Sequence, residues 1–309
     1  MLLPGHIPLQ LIENEITVSR KIALYVLRLD TIDLYAGGNK LFKLKYNLAE
    51  VKTQGYKKLL TFGGAWSNHL AAVAAGLQGA VSSKQLEVIA VVRGEEPKEL
   101  SDTLRFCKEK GIQLHFVSRE EYRRKNEKNF IEELKNKFGD FYLLPEGGSN
   151  ALAVKGCREI PDLVNIDFDV ICCPVGSGAT IAGIANGLKE EQRALGFVVL
   201  KGGTYLEDVI TKLRTPLSPK ATPLKGDKHF ANFKLFHDYH FGGFAKTTPQ
   251  LLTFKKDFEE NFGFELDHIY TSKMFYGIFD LATKNYFKKN TTVIAVHTGG
   301  LQGNKGFLP

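Results

Sequence analysis

Asp169-Val170-Ile171-Cys172-Cys173-Pro174-Val175-Gly176-Ser177-Gly178-Ala179-Thr180 runs from an apolar segment, through two glycines and a serine, into a helical pattern. A short apolar run that turns on glycines straight into a helix is half of a strand–turn–helix unit of a parallel sheet. The same organisation recurs outward from it. Strands are expected at 22–29, 58–62, 86–92, 114–117, 141–144, 169–174, 196–200 and 292–296. Helices are expected after Lys40, where Leu41, Leu44, Leu48 and Val51 share a face, and over 68–77, 97–110, 119–137, 179–191, 249–262 and 273–287. The fold class is therefore α/β, with parallel sheets flanked by helices and ligands gathered at the carboxyl ends of the strands.

Four glycine pairs or turns fall at such ends: Gly63-Gly64, Gly147-Gly148, Gly176 to Gly178, and Gly299-Gly300. The turn from Gly176 to Thr180 suits a phosphate dianion, which backbone N–H groups at a helix N-terminus and the Ser177 and Thr180 hydroxyls can hold. Rival motifs fail on residue identity. Val175 and Ala179 stand where a nucleophile elbow needs glycines, Ile181 stands where a dinucleotide fingerprint needs Gly or Ala, and no Gly-Lys-Ser/Thr follows.

Upstream, Gly37-Gly38-Asn39-Lys40 lies between a strand and an amphipathic helix. Glycines let the backbone approach a ligand closely, and a lysine flanked by Leu41 and Leu44 can be desolvated into a nucleophilic amine. In Gly63-Gly64-Ala65-Trp66-Ser67-Asn68-His69, Ser67 or Asn68 serves as a helix N-cap, and the same helix start would attract a carboxylate. His69 and His297 read as hydrogen-bonded structural residues. His237 and His240 lack a third ligand, so no metal is expected.

The chain has 309 residues, 43% hydrophobic and 24% charged, ordinary for a globular protein with a sizeable core. No apolar run reaches membrane-spanning length, and Met1 to His6 lacks a secretion-signal pattern, so no membrane partner is expected. The four cysteines form no CxxC pair, and adjacent Cys172 and Cys173 face opposite sides of a strand; buried thiols in a reducing cytoplasm are expected. Part of the net charge of +7 falls in 212–234, a stretch broken by Pro216, Pro219 and Pro223, which reads as a solvated loop and not as a nucleic-acid surface.

Taken in order, Gly37-Gly38-Asn39-Lys40-Leu41-Phe42-Lys43-Leu44, Gly63-Gly64-Ala65-Trp66-Ser67-Asn68-His69, Glu146-Gly147-Gly148-Ser149-Asn150, Val175 to Thr180, Leu266-Asp267-His268-Ile269-Tyr270-Thr271-Ser272-Lys273 and His297-Thr298-Gly299-Gly300-Leu301 resemble one family. It is the 1-aminocyclopropane-1-carboxylate deaminase and D-cysteine desulfhydrase family of pyridoxal-phosphate enzymes, with the tryptophan-synthase-β-like fold type II. The resemblance implies a larger domain, 1–45 with 156–309, around a smaller inserted α/β domain, 46–155, and a homodimer. It implies that Lys40 forms a Schiff base with pyridoxal 5'-phosphate, and that Ser177, Gly178, Ala179 and Thr180 hold the phosphate. Asn68 would bond the ring oxygen and Thr271 the pyridine nitrogen. Ser67, Asn68, His69 and Tyr270 would bind a small amino-acid substrate, with Lys40, Ser67 and Tyr270 catalytic.

The position of Thr271 carries a glutamate in the deaminase branch. A threonine there gives a weaker electron sink, which implies β-elimination from a small D-amino acid such as D-cysteine, yielding a 2-oxo acid and ammonia. Ring opening of aminocyclopropane carboxylate, or cofactor binding with little catalysis, are the alternatives. The sequence departs from the family at Phe244, where a tyrosine is expected, with Tyr239 able to take that place if the loop shifts. It departs again at Phe42, where the family has arginine.

Overall fold

A computed structural model of the chain describes residues 6–35, 37–80, 86–214 and 232–307. Most of the basic stretch 212–234 lies outside the described residues. Arg214, which is described, is turned inward, its guanidinium donating to Asn186 Oδ1 and Asn232 Oδ1, both at 2.9 Å.

The strands are β1 (Leu9–Ile12), β2 (Ala23–Arg28), β3 (Lys58–Gly63), β4 (Glu87–Arg93), β5 (Gln113–Val117), β6 (Tyr142–Leu144), β7 (Val170–Val175), β8 (Arg193–Val198), β9 (Phe233–Phe236) and β10 (Thr292–His297). They form two sheets, one ordered β1-β2-β10-β7-β8-β9 and the other β5-β4-β3-β6. Only β1 runs antiparallel to its neighbour. The smaller sheet is made wholly from the segment between β2 and β7.

The strands bury both faces, as parallel strands under helices do. Period-two alternation sends Leu27, Ile294 and Val296 into one core, and Leu24, Val26, Val293 and Ala295 into another across the sheet. In the smaller sheet Leu59 packs on one side, and Leu60 and Phe62 on the other. Cys172 and Cys173 divide in the same way, and all four cysteines are buried free thiols.

The helices are α1 (Glu15–Arg20), α2 (Asn39–Thr53), α3 (Asn68–Ala80), α4 (Asp102–Glu109), α5 (Arg119–Arg123), α6 (Lys128–Phe138), α7 (Ala151–Cys157), α8 (Ala179–Gly187), α9 (Leu206–Arg214), α10 (Pro249–Phe262) and α11 (Thr271–Thr283). Several expected boundaries move: the helix expected over 179–191 ends at Gly187, the one over 273–287 is Thr271–Thr283, and the strand over 196–200 is Arg193–Val198, while two further changes have a capping cause. The helix expected from 97 starts at Asp102, because Ser101 Oγ accepts from the Leu104 N–H and caps it there. The single helix expected over 119–137 is two. α5 is closed by a capping box between Ser118 and Glu121, and the chain breaks after Arg123 before α6 begins at Lys128. Among the described residues no helix is long and apolar enough to cross a membrane.

Candidate active site

The site is assembled by three helices packed against one another. α7 lies between α2 and α8, and glycines open both contacts. A Cβ on Gly156 of α7 would collide with the Phe42 carbonyl oxygen of α2, and one on Gly183 of α8 would sit 2.6 Å from the Val154 carbonyl oxygen of α7. This packing brings the start of α2 to the start of α8. Asn39 Nδ2 donates to Thr180 Oγ1 at 2.8 Å, and Lys40 Nζ donates to Asn39 Oδ1 at 2.9 Å. The amine and the serine–glycine turn, distant in sequence, are thus joined through one side-chain amide.

The turn leaves β7 and enters α8 through Gly178, whose φ is +88°. A Cβ there would lie 2.9 Å from Ile210 Cγ1 of α9, so the position needs glycine on both counts. The first N–H groups of α8 have no helical acceptor and, with the helix dipole, favour an anion. Ser177, Gly178 and Thr180 line a cavity of about 700 Å³ that also receives Lys40, Ser67, Asn68, His69 and Tyr270. Ala179 is fully buried in the core and can contribute only its backbone N–H. Sequence reasoning assigned no role to Lys43, one turn beyond Lys40. Its side chain is buried, with Nζ 3.2 Å from Ser177 Oγ and 3.1 Å from the Gly147 carbonyl oxygen. It stands as a counter-charge beside the turn.

On the opposite wall, Ser67 Oγ accepts from the Leu70 N–H at 3.3 Å and so caps α3, leaving its own hydrogen for the cavity. Asn68 Oδ1 accepts from Gln302 Nε2 at 2.7 Å, which leaves the Asn68 NH₂ as a donor. His69 Nε2 lies 2.7 Å from Thr61 Oγ1, and Thr61 gives its one hydrogen to the Leu144 carbonyl oxygen at 2.9 Å. Nε2 must therefore carry the imidazole proton, and Nδ1 is a bare acceptor, buried with no partner among the described residues. Burial, then the charges of Lys40 and Lys43, push the His69 pKa down to about 3, so the ring is neutral.

Tyr270 and Thr271 open α11, and a single buried carboxylate holds that helix end. Asp267 Oδ1 accepts from the Ile269 and Tyr270 N–H groups, and Oδ2 from the Thr271 N–H and hydroxyl, at 2.6–2.9 Å. Thr271 Oγ1 also accepts from the Asp267 N–H at 2.8 Å. Thr271 is fully buried and is not among the cavity-lining residues, while Tyr270 is. Burial raises the Tyr270 pKa, so the phenol keeps its proton. Phe244 stacks edge-on against Tyr270 with ring centroids 6.0 Å apart. Its loop is tied to α11 by buried Lys273, whose Nζ donates to the carbonyls of His240 and Gly243 at 2.8 and 2.7 Å. Tyr239 does not substitute for it. Its hydroxyl donates to Asp280 Oδ2 at 2.6 Å and its ring packs on Phe197 and Phe236.

Burial, then the neighbouring Lys43 charge, lowers the Lys40 pKa from 10.5 to about 7. A substantial fraction of the amine is therefore unprotonated at neutral pH, as a carbonyl-reactive nucleophile requires. Glu146 is the only acid lining the cavity among the described residues. It lies at the rim, accepts from Tyr122 and sits 3.5 Å from Lys125, while Arg93 and Arg119 line the cavity as guanidiniums. The interior thus offers an amine, amide and hydroxyl donors, one bare acceptor and a serine–glycine turn at a helix start with Lys43 beside it. A flat molecule with a phosphate at one end and an aldehyde at the other fits that donor set. Among the described residues no group of His, Cys, Asp or Glu could hold a metal ion.

Comparison with known proteins agrees with the geometry. The family profile described as pyridoxal-phosphate dependent enzyme matches residues 8–299. A Pyrococcus horikoshii protein provisionally named 1-aminocyclopropane-1-carboxylate deaminase is 32% identical, covering 98% of this chain and 91% of its own length. The mitochondrial bifunctional D-cysteine desulfhydrase/1-aminocyclopropane-1-carboxylate deaminase of Arabidopsis thaliana is 30% identical, over 91% of this chain and 73% of its own. A crystal structure described as an ACC deaminase homologue superposes with a TM-score of 0.78 at 28% identity, covering 98% of this chain and 92% of that one. The chain accordingly belongs to the pyridoxal-phosphate dependent enzymes, with the parallel α/β architecture of their fold type II.

Proposed function

We propose that the protein catalyses β-elimination and deamination of a small amino acid, D-cysteine or a close analogue, releasing the thiol, a 2-oxo acid and ammonia with uptake of one water. The observation that carries the choice is that, among the described residues, Glu146 at the rim is the only carboxylate lining the cavity; the family resemblance puts Thr271 where the deaminase branch has a glutamate, and its hydroxyl hydrogen goes to Asp267. Pyridoxal phosphate, when bound, supplies an electron-withdrawing ring conjugated to the substrate Cα. Without an anionic partner the ring nitrogen draws electrons less strongly. Expelling a stabilised thiolate then suits the site better than opening a cyclopropane.

In this reading Ser177, Gly178, Thr180 and the Ala179 N–H hold the phosphate, with Lys43 balancing its charge. Asn68 donates to the ring oxygen. The Ser67 hydroxyl and the start of α3 hold the substrate carboxylate, which Arg93 and Arg119 draw toward the cavity. Neutral His69 Nδ1 faces a donor on the substrate or cofactor. Lys40 Nζ would hold the cofactor, and the same amine, kept unprotonated by its lowered pKa, would accept the substrate Cα proton. Tyr270, protonated and beside Phe244, is placed to donate to the departing thiolate. The two-domain division, 1–45 with 156–309 around 46–155, belongs to the same proposal and is supported by the segregation of the strands into two sheets. So do a homodimer and a cytoplasmic location, the latter supported by the buried free thiols.

The test is to incubate the cofactor-loaded protein with D- and L-cysteine and aminocyclopropane carboxylate and to assay 2-oxo acid. Turnover of D-cysteine exceeding that of the cyclopropane, and lost in Lys40→Ala, supports the reading. Release of 2-oxo acid from the cyclopropane in preference to D-cysteine refutes it.

A further inference from the structure

The Asn68 amide has two chemically opposite ends, and only one suits the electron-rich ring oxygen of the cofactor. In the structure its Oδ1 is occupied by Gln302 Nε2 at 2.7 Å. Gln302 lies on the 3₁₀ segment Leu301–Phe307, the first turn after β10 and Gly299-Gly300, and is 7% exposed. Among the described residues its own Oε1 is buried without a partner, and the donation to Asn68 is the side chain's one polar bond. A buried amide whose oxygen has no partner among the described residues acts on its surroundings through its NH₂ alone.

We propose that Gln302 is a positioning residue for the cofactor: by donating to Asn68 Oδ1 it presents the Asn68 NH₂, and not its carbonyl, to the cofactor ring oxygen. This rests on the proposed contact between Asn68 and that oxygen. The consequence is directional. A glutamate at 302, when ionised, can only accept. It would capture the Asn68 NH₂ and turn the carbonyl oxygen toward the ring oxygen, replacing an attraction by a repulsion. Methionine would merely leave Asn68 free to turn.

The experiment compares Gln302→Glu, Gln302→Met and Asn68→Ala with the unchanged protein. Each is titrated with pyridoxal phosphate to obtain its dissociation constant, and the visible absorbance of the loaded protein is followed against pH. Gln302→Glu should weaken cofactor binding about tenfold at pH 8, as expected for a lost hydrogen bond to a charged group, and Gln302→Met by less. Binding to the glutamate variant should recover as pH falls, because a protonated carboxyl can again donate to Asn68. Asn68→Ala should also shift the absorbance titration. Equal effects of glutamate and methionine, without recovery at low pH, would overturn the role of Gln302 even where Asn68→Ala is impaired. An Asn68→Ala protein that binds and absorbs like the unchanged one refutes the underlying contact and the proposal together.

Discussion

Replacing Lys40 with methionine should make the cofactor-free protein more stable, and the gain should depend on pH. Methionine keeps the apolar stem of the lysine and discards the ammonium. The folded chain lowers the Lys40 pKa from 10.5 to about 7, through burial first and the Lys43 charge second. Between those pH values the unfolded chain holds a proton that the folded chain does not, so folding stability rises with pH across the window. The penalty is complete below about pH 7 and vanishes above 10.5. At about 1.4 kcal/mol for each tenfold, its full size is about 5 kcal/mol, which water entering the cavity reduces to about 2–5 kcal/mol. Thermal midpoints of the cofactor-free proteins measured from pH 7 to 10 test this. At about 2.1 cal/mol/K per residue for 309 residues, the variant should melt about 3–8 °C higher at pH 7, with the gap closing as pH rises. Parallel pH profiles, or a variant less stable at pH 7, would show that Lys40 is not held against its charge.

Three further outcomes are expected. Gly178→Ala must place a Cβ 2.9 Å from Ile210 at φ +88°, so it should cost about 1–3 kcal/mol of stability and weaken cofactor binding; calorimetry showing no loss counts against the glycine requirement. Arg93→Gln with Arg119→Gln should raise KM a few-fold, leave kcat nearly unchanged and flatten the salt dependence of kcat/KM; an unaltered salt slope removes the steering role. Phe244→Tyr sets a hydroxyl beside Tyr270 and should raise kcat by up to about tenfold at similar KM if leaving-group protonation limits turnover. An unchanged kcat places the limit elsewhere.

The parallel α/β plan was legible because β-branched runs punctuated by glycine carry strong local signals, and the sites those glycines mark lie at strand ends by topology. β1 and β9, four residues each at the two edges of the larger sheet, were missed. α7 was missed because seven residues containing Gly156 have no helical period of their own, and their helix exists by packing against α2 and α8. Lys43 was visible as a residue but not as a site member. Its spacing of three from Lys40 on a helix was the available signal, since such pairs share a face. The partners of Thr271 and Asn68 could not be read. Asp267 lies four residues from Thr271, where a cap is one of several arrangements, and Gln302 reaches Asn68 only after the chain has crossed both sheets. Phe244 stood out because a missing hydroxyl is a residue identity, whereas its tether to Lys273 is a tertiary fact.

The central claim is that one amine, Lys40, holds the cofactor in the cavity it shares with the turn at Ser177 to Thr180. Borohydride reduction of the protein loaded with pyridoxal phosphate, followed by peptide mapping, tests it most directly. A pyridoxyl group on Lys40 alone is the expected result. The same group on Lys43 or Lys273, or no stoichiometric label at all, would contradict it.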